Sequence, residues 1–336
     1  MSTTAESRPL SRTAGRGVFS RLLRKYALQI AIVGVLLAIL AFFIWRAPST
    51  FTAYDIYYSL LYTTPFFGIM AIPLTLVIIA KEIDLSFPSI MAWGMALFSV
   101  VFLATGSVWL GFAACILAGL FAGLLNGLIV VRLGVPSLVA TIGMFYFWHG
   151  AVLVVTNAQG LGMTLVRSTL LYPLFVGKLG GLIPMQFIWM IVVGIVTWFF
   201  LNRHRFGAHV YLTGDNEDSA RLMGVDTGRT KILTFVIVGG AAAFAGFVVS
   251  EGVLFFWPTM GGGYQLSALA AVFLGGTSVF GGAGTIFGTM VASFIIAIIN
   301  PGIVAAGWTA YYTEVIYGLI IVVSVALQAV LRRRLA

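Results

Sequence analysis

Ten apolar stretches, each close to the roughly 20 residues that carry a helix across a bilayer, run through this chain of 336 residues. They fall at about 27–45, 57–80, 85–104, 109–131, 137–156, 184–202, 232–250, 264–280, 285–300 and 311–330. The hydrocarbon layer holds no water to pair with backbone N–H and C=O groups, so such stretches are confined to structures that satisfy themselves, above all helices. The expected fold class is all-α: a polytopic membrane protein of about ten transmembrane helices. Composition agrees, with 60% apolar and 9% charged residues, against roughly 25% charge in soluble domains.

The net charge of +9 would suggest nucleic acid in a soluble protein, but the basic residues cluster at ends and loops, as orientation signals do. No nucleic-acid partner is expected. Residues 1–26 read as a disordered basic cytoplasmic tail ahead of an uncleaved first span, because the apolar run continues to bulky Ile44-Trp45-Arg46 rather than to a small-residue cleavage site. Residues 27–331 read as one membrane domain, and 332–336 as a second basic tail. Six spans precede the polar loop 203–231 and four follow it, so both tails and that loop share the cytoplasmic side. Arg132 joins them, while Arg167 and Lys178 fall in a long outer loop.

That loop, Arg203 to Lys231, holds five of the nineteen Lys and Arg residues and four of the ten acids. Within it, Gly214 to Gly224 reads as a short helix with Asp215 as N-cap, acids in the first turn and Gly224 as the stop. Glu217 and Arg221 stand at i, i+4 in the favourable order. A helix of about 12 Å is marginal alone. Either something binds it or it is a solvated connector.

Gly119, Gly123 and Gly127 line one stripe at four-residue spacing, and Gly284, Gly288 and Ala292 another, which is how close backbone contact between membrane helices is written. Asp84-Leu85-Ser86 before the third span and Gln265-Leu266-Ser267 at the eighth suggest two five-span halves of inverted topology with broken helices.

Several chemistries are absent from the sequence. There is no G-x-x-x-x-G-K-[ST] for ATP and no G-x-S-x-G elbow. His149, His204 and His209 lack metal-ligand spacing, and Cys115 stands alone in an apolar run. No catalytic residue, metal or cofactor bound by this chain is expected. What remains is a set of polar residues at membrane depth, which are default functional candidates because they are costly there. They are Asp84, Ser86, Ser89, Asn126, Thr141, Gln265, Ser267, Thr277, Ser278 and Asn300, with Trp93 and Tyr146 as flat surfaces for a sugar ring. Ser89, Asn126, Gln265, Thr277 and Asn300 are expected to face a shared passage, with Asp84 at its cytoplasmic mouth or at a helix break near Pro88. The plainer alternative is interhelical hydrogen bonding, and for Lys81-Glu82-Ile83-Asp84 a neutralised turn.

Glu82 to Ala92, Leu124 to Gly127 with Arg132 to Ser137, Gly214 to Gly224, and Ala268 to Ser278 with Gly281 to Gly284 resemble, in order, the ribose/xylose-type sugar permeases of bacterial ABC importers. The resemblance covers roughly Phe67 to Leu331. It implies a permease in the bacterial inner membrane, paired with a second copy or a sister permease. It further implies a periplasmic sugar-binding protein as donor and a separate cytoplasmic ATPase as motor, with ATP and Mg held by that ATPase. Gly214, Asn216, Glu217, Ala220, Arg221 and Gly224 would then be where the ATPase engages. The chain departs from the family pattern at Glu82, at Phe87-Pro88, at His149-Gly150, and in lacking an acid near Gln265 to Ser267.

Two rivals stand beside this. An ion- or proton-coupled secondary transporter would share broken helices and inverted repeats, but needs carboxylates deep in the spans, and Glu251 and Glu314 fall near expected outer ends. A membrane-embedded enzyme lacks any paired acid, metal cluster or nucleophile.

Overall fold

The computed structural model describes the backbone of residues 14–335 and the side chains of 27–330. Residues 1–13 of the expected N-terminal tail, and the side chains of 14–26 and of the C-terminal tail, lie outside the described residues. Fourteen helices follow in order: α1 (Ala14–Arg46), α2 (Pro48–Phe51), α3 (Tyr54–Ile79), α4 (Phe87–Thr105), α5 (Val108–Arg132), α6 (Ser137–Thr156) and α7 (Leu171–Val176). Then come α8 (Met185–Asn202), α9 (Arg205–Asp215), α10 (Glu217–Leu222), α11 (Thr227–Val253), α12 (Gln265–Leu274), α13 (Ile286–Ala305) and α14 (Tyr312–Leu335). Four two-residue strands make two antiparallel pairs: β1 (Leu161–Gly162) with β4 (Phe255–Phe256), and β2 (Lys178–Leu179) with β3 (Ile183–Pro184).

Among the described residues, nine helices are long and apolar enough to cross a membrane, and α12 is a shorter apolar one. The protein is a polytopic all-α membrane protein. Its loops fall on two faces. On one, Gly282 N–H donates to Ile79 O at 2.9 Å, Tyr211 Oη to Gly284 O at 2.8 Å, and Ile83 N–H to Ser137 Oγ at 3.1 Å, which brings together the segments around residues 80–86, 203–226 and 275–285. On the other, β1 pairs with β4 and Tyr54 Oη donates to Leu182 O at 2.6 Å. Between α11 and α13 the chain runs from the second face to the first through an irregular lead-in and the ten residues of α12.

Two boundaries differ from expectation. The stretch 264–280 carries no charge but is α-helical only to Leu274, because Gly275-Gly276 and Gly281-Gly282 follow, three of them at positive φ. The first helix begins at Ala14 rather than near 27, since Arg21-Leu22-Leu23-Arg24-Lys25 are strong helix formers that continue the span.

At the centre lies α3, every residue of which is buried from Thr64 to Ile79. Its internal Pro65 and Pro73 are tolerated there because neighbouring helices surround the interrupted ladder. The glycine stripe of α5 lies on α11: a Cβ at Gly123 would meet the Phe235 carbonyl, and one at Gly119 the Gly239 carbonyl. Between them Cys115 Sγ donates to Ala243 O at 3.2 Å. The outer helices α1 and α14 instead turn Leu28, Ile30, Val315, Leu319 and Val322 outward, as helices in lipid do.

Candidate functional site

Two interruptions meet inside the bundle. From one face, residues 82–86 run without helix into the interior before α4 starts at Phe87; from the other, the chain after β4 reaches Gly261, whose Cβ position abuts the Pro88 carbonyl. These interruptions precede α4 and α12 respectively.

The first interruption is pinned by a buried polar chain. Asp84 Oδ1 accepts from Ser86 N–H at 2.8 Å and from Ser86 Oγ at 2.6 Å, and Ser86 Oγ accepts in turn from Asn126 Nδ2 at 2.6 Å. Thr141 Oγ1 reaches Ile83 O at 3.2 Å and Ser137 O at 2.7 Å. Asp84, Ser86, Asn126 and Thr141 are all fully buried, and Asp84 Oδ2 and Asn126 Oδ1 have no hydrogen-bond partner among the described residues.

Two cavities flank the meeting point and share Gly262 in their walls. The smaller, about 250 Å³, is lined by Ser89 with Tyr146 and His149. The larger, about 810 Å³, is lined by Ser267 and Asn300 among others. Half-buried Gln265 begins α12 beside it. Trp93 packs on Trp148 with ring centroids 5.5 Å apart. Thr277 and Ser278 lie apart from both cavities, in the turn where Ser278 N–H donates to Ala283 O at 2.8 Å, and Thr277 O accepts from Gln328 Nε2 at 3.1 Å. The expected passage residues thus divide into a buried chain (Asp84, Ser86, Asn126, Thr141), cavity walls (Ser89, Ser267, Asn300) and a loop turn.

The short loop helix is α10, Glu217–Leu222, and its N-cap is Asn216, whose Oδ1 accepts from Ser219 N–H at 2.9 Å. Asp215, expected in that role, is the last residue of α9, because the chain turns extended only at Asn216. Ala220 is buried and Gly224 ends the element at φ +82°. Gly214 packs so tightly that its Cβ position abuts the Ile79 carbonyl and lies 2.7 Å from Gly282 N.

Charges tie α10 to the interruption. Glu217 takes Arg221 at 2.6 Å and Lys231 at 2.7 Å, and the same Lys231 Nζ reaches Glu82 at 2.7 Å. Burial raises the Glu217 carboxyl, but the Lys231 hydrogen bond and charge, with Thr227 and Arg221, outweigh it and hold it below the ordinary value. On its outer side α10 leaves Leu222 90% and Met223 62% exposed. The sequence reading did not single out Lys231, Leu222 or Met223; a lysine directly ahead of an apolar run, and two large apolar residues closing a charged helix, were the available signals. Glu251 and Gln186 are fully buried with every side-chain oxygen and nitrogen unpartnered among the described residues, and Glu251 lies in the last turn of α11, near its outer end as expected.

Comparison with known proteins gives these elements a family. A family model described as "Branched-chain amino acid transport system / permease component" matches residues 56–325. The ribose import permease protein RbsC of Escherichia coli (strain K12) is 32% identical over 292 residues, 86% of this chain and 90% of its own length. The autoinducer 2 import system permease protein LsrC of Salmonella typhimurium is 30% identical over 254 residues, 75% of this chain and 72% of its own. No solved structure matches. With matches that span the interruptions, the glycine stripe and the charged loop alike, the chain belongs to the carbohydrate-importer permease family of ABC transporters.

Proposed function

We propose that this permease moves a monosaccharide into the cytoplasm, receiving it from a periplasmic binding protein and driven by a separate ABC ATPase that seats on α10. The observation that carries the reading is α10 itself: six residues, fixed on one side by Glu217, Ala220 and Gly214, and presenting Leu222 and Met223 outward. A large exposed apolar pair on a rigidly held helix end is what a docking knob requires. Gly214, Asn216, Glu217, Ala220, Arg221 and Gly224 hold that knob. The face bearing it is the cytoplasmic one, since it collects Arg132, Arg203, Arg205, Arg221 and Arg229 in short loops and helix ends. Both termini then lie inside, in a bacterial inner membrane.

On this reading ATP and Mg belong to the partner, and the permease works as a pair, with itself or with a sister subunit. Asp84, Ser86 and Asn126 act as the inner closure of the sugar's route, and Ser89, Ser267 and Asn300 as its walls. A sugar crossing the bilayer exchanges water hydrogen bonds for protein ones, because an unmatched buried hydroxyl costs on the order of 2–7 kcal/mol.

The test is a cysteine at Met223, beside Leu222, crosslinked in native membranes. A product with the cognate ATPase, lost on Leu222→Asp, is expected. Absence of any such product, together with normal ATPase copurification by Leu222→Asp, would contradict the assignment of α10.

A further inference from the structure

The larger cavity has more to it than Ser267 and Asn300. It opens between α3, the turn Gly262–Tyr264, α12, α13 and the start of α14, and at about 810 Å³ it falls within the range of small-molecule sites, roughly 300–1,000 Å³. No basic residue lines it, and Glu314 is its one carboxylate. Thr313 beside it is 5% exposed, and its hydroxyl has no partner among the described residues. Tyr264 and Tyr317 supply ring faces.

Donors and acceptors in this wall are mixed. Glu314 only accepts, Asn300 offers both an NH2 and a carbonyl, and Thr313 and Ser267 do either. An anionic solute would meet Glu314 unpaired. A cationic one would pair with Glu314 but leave the Asn300 and Thr313 donors without acceptors. A ring bearing several hydroxyls donates to the carboxylate and accepts from the amide and hydroxyls at once, while its apolar C–H face lies on tyrosine.

We propose that this cavity is the solute-binding site of the permease, that it takes a neutral polyhydroxylated ring, and that Glu314 is the acceptor that sets its specificity. The inference rests on the importer reading above and adds to it a site and a residue outside the interrupted segments.

The experiment uses the complete importer in cells, with uptake of labelled D-ribose, D-xylose, L-arabinose, D-galactose and L-leucine. If the wild type takes up none of the sugars, or only leucine, the importer reading itself fails. If it takes up a sugar, Glu314→Ala and Asn300→Leu are measured against that sugar and its monodeoxy analogues. A KM raised tenfold or more in Glu314→Ala is expected, with the preference for the parent sugar over one deoxy analogue falling toward unity. The isosteric Glu314→Gln, which keeps a carbonyl acceptor, should lie between, and it carries the measurement if the alanine variant does not reach the membrane. Unchanged KM and unchanged deoxy preference in both Glu314 variants would overturn the site while leaving the importer reading intact.

Discussion

Lys231 and Glu82 form an ion pair of 2.7 Å between the first turns of α11 and the extended segment that leads into α4, and both side chains are nearly buried, at 13% and 11% exposure. The same ammonium holds Glu217 of α10 at 2.7 Å. Two residues beyond Glu82 stands Asp84, bound to Ser86 and through it to Asn126. The helix that offers Leu222 to the outside is therefore joined by one lysine to the interruption at which the chain enters the bundle.

Removing that lysine leaves two carboxylates facing each other with little water. Breaking a buried pair by deleting one partner costs about 3–5 kcal/mol, and residual exposure places this case at the lower end. Lys231→Met should lower the thermal midpoint of the purified permease by several degrees, and the exchange Glu82→Lys with Lys231→Glu should recover part of it. A midpoint unaffected by Lys231→Met would mean the triad holds nothing.

Close backbone approach makes a sharper contrast. A methyl at Gly123 meets the Phe235 carbonyl, whereas one at Gly224 meets nothing within 4 Å and suffers only from φ +82°. Gly123→Ala should cost on the order of 1–3 kcal/mol by overpacking, and Gly224→Ala about 1 kcal/mol by backbone strain. Denaturation of the two variants side by side checks the order.

Glu251 separates transport mechanisms. Its buried carboxyl has no hydrogen-bond partner among the described residues, which is how a proton carrier is furnished, but an ATP-driven permease has no use for its titration. Glu251→Gln should leave uptake within a factor of two and keep or raise the thermal midpoint. Loss of uptake in a stable Glu251→Gln protein would favour proton coupling.

Much of this architecture is readable from residue order alone. Hydropathy locates nine long spans to within a few residues, since burial in lipid is a property of composition. It reads 264–280 as a span but not as a broken one, because Gly275 and Gly276 are near neutral in hydropathy and do not interrupt the pattern, while the backbone freedom of Gly276 ends the helix. The Gly119-Gly123-Gly127 stripe announces tight packing without naming α11 as the partner. Glu82 with Lys231, residues from opposite halves of the chain, is an encounter no local pattern encodes. Asp215 and Asn216 are both good caps, and only the course of α9 chooses between them. The larger cavity draws on α3, α12, α13 and α14 together, so Ser267 and Asn300 stand out by polarity in their spans, while Glu314 reads only as an acid near an outer end.

The central claim is that a cytoplasmic ATPase, docked on α10, drives a sugar through this chain. Its most direct test is uptake into proteoliposomes containing the permease and its ATPase, with binding protein and labelled sugar outside and ATP with Mg enclosed. The account predicts uptake that requires enclosed ATP, is indifferent to an imposed proton gradient, and is lost in Leu222→Asp. Uptake by the permease alone, driven by a proton gradient without ATP, would contradict it.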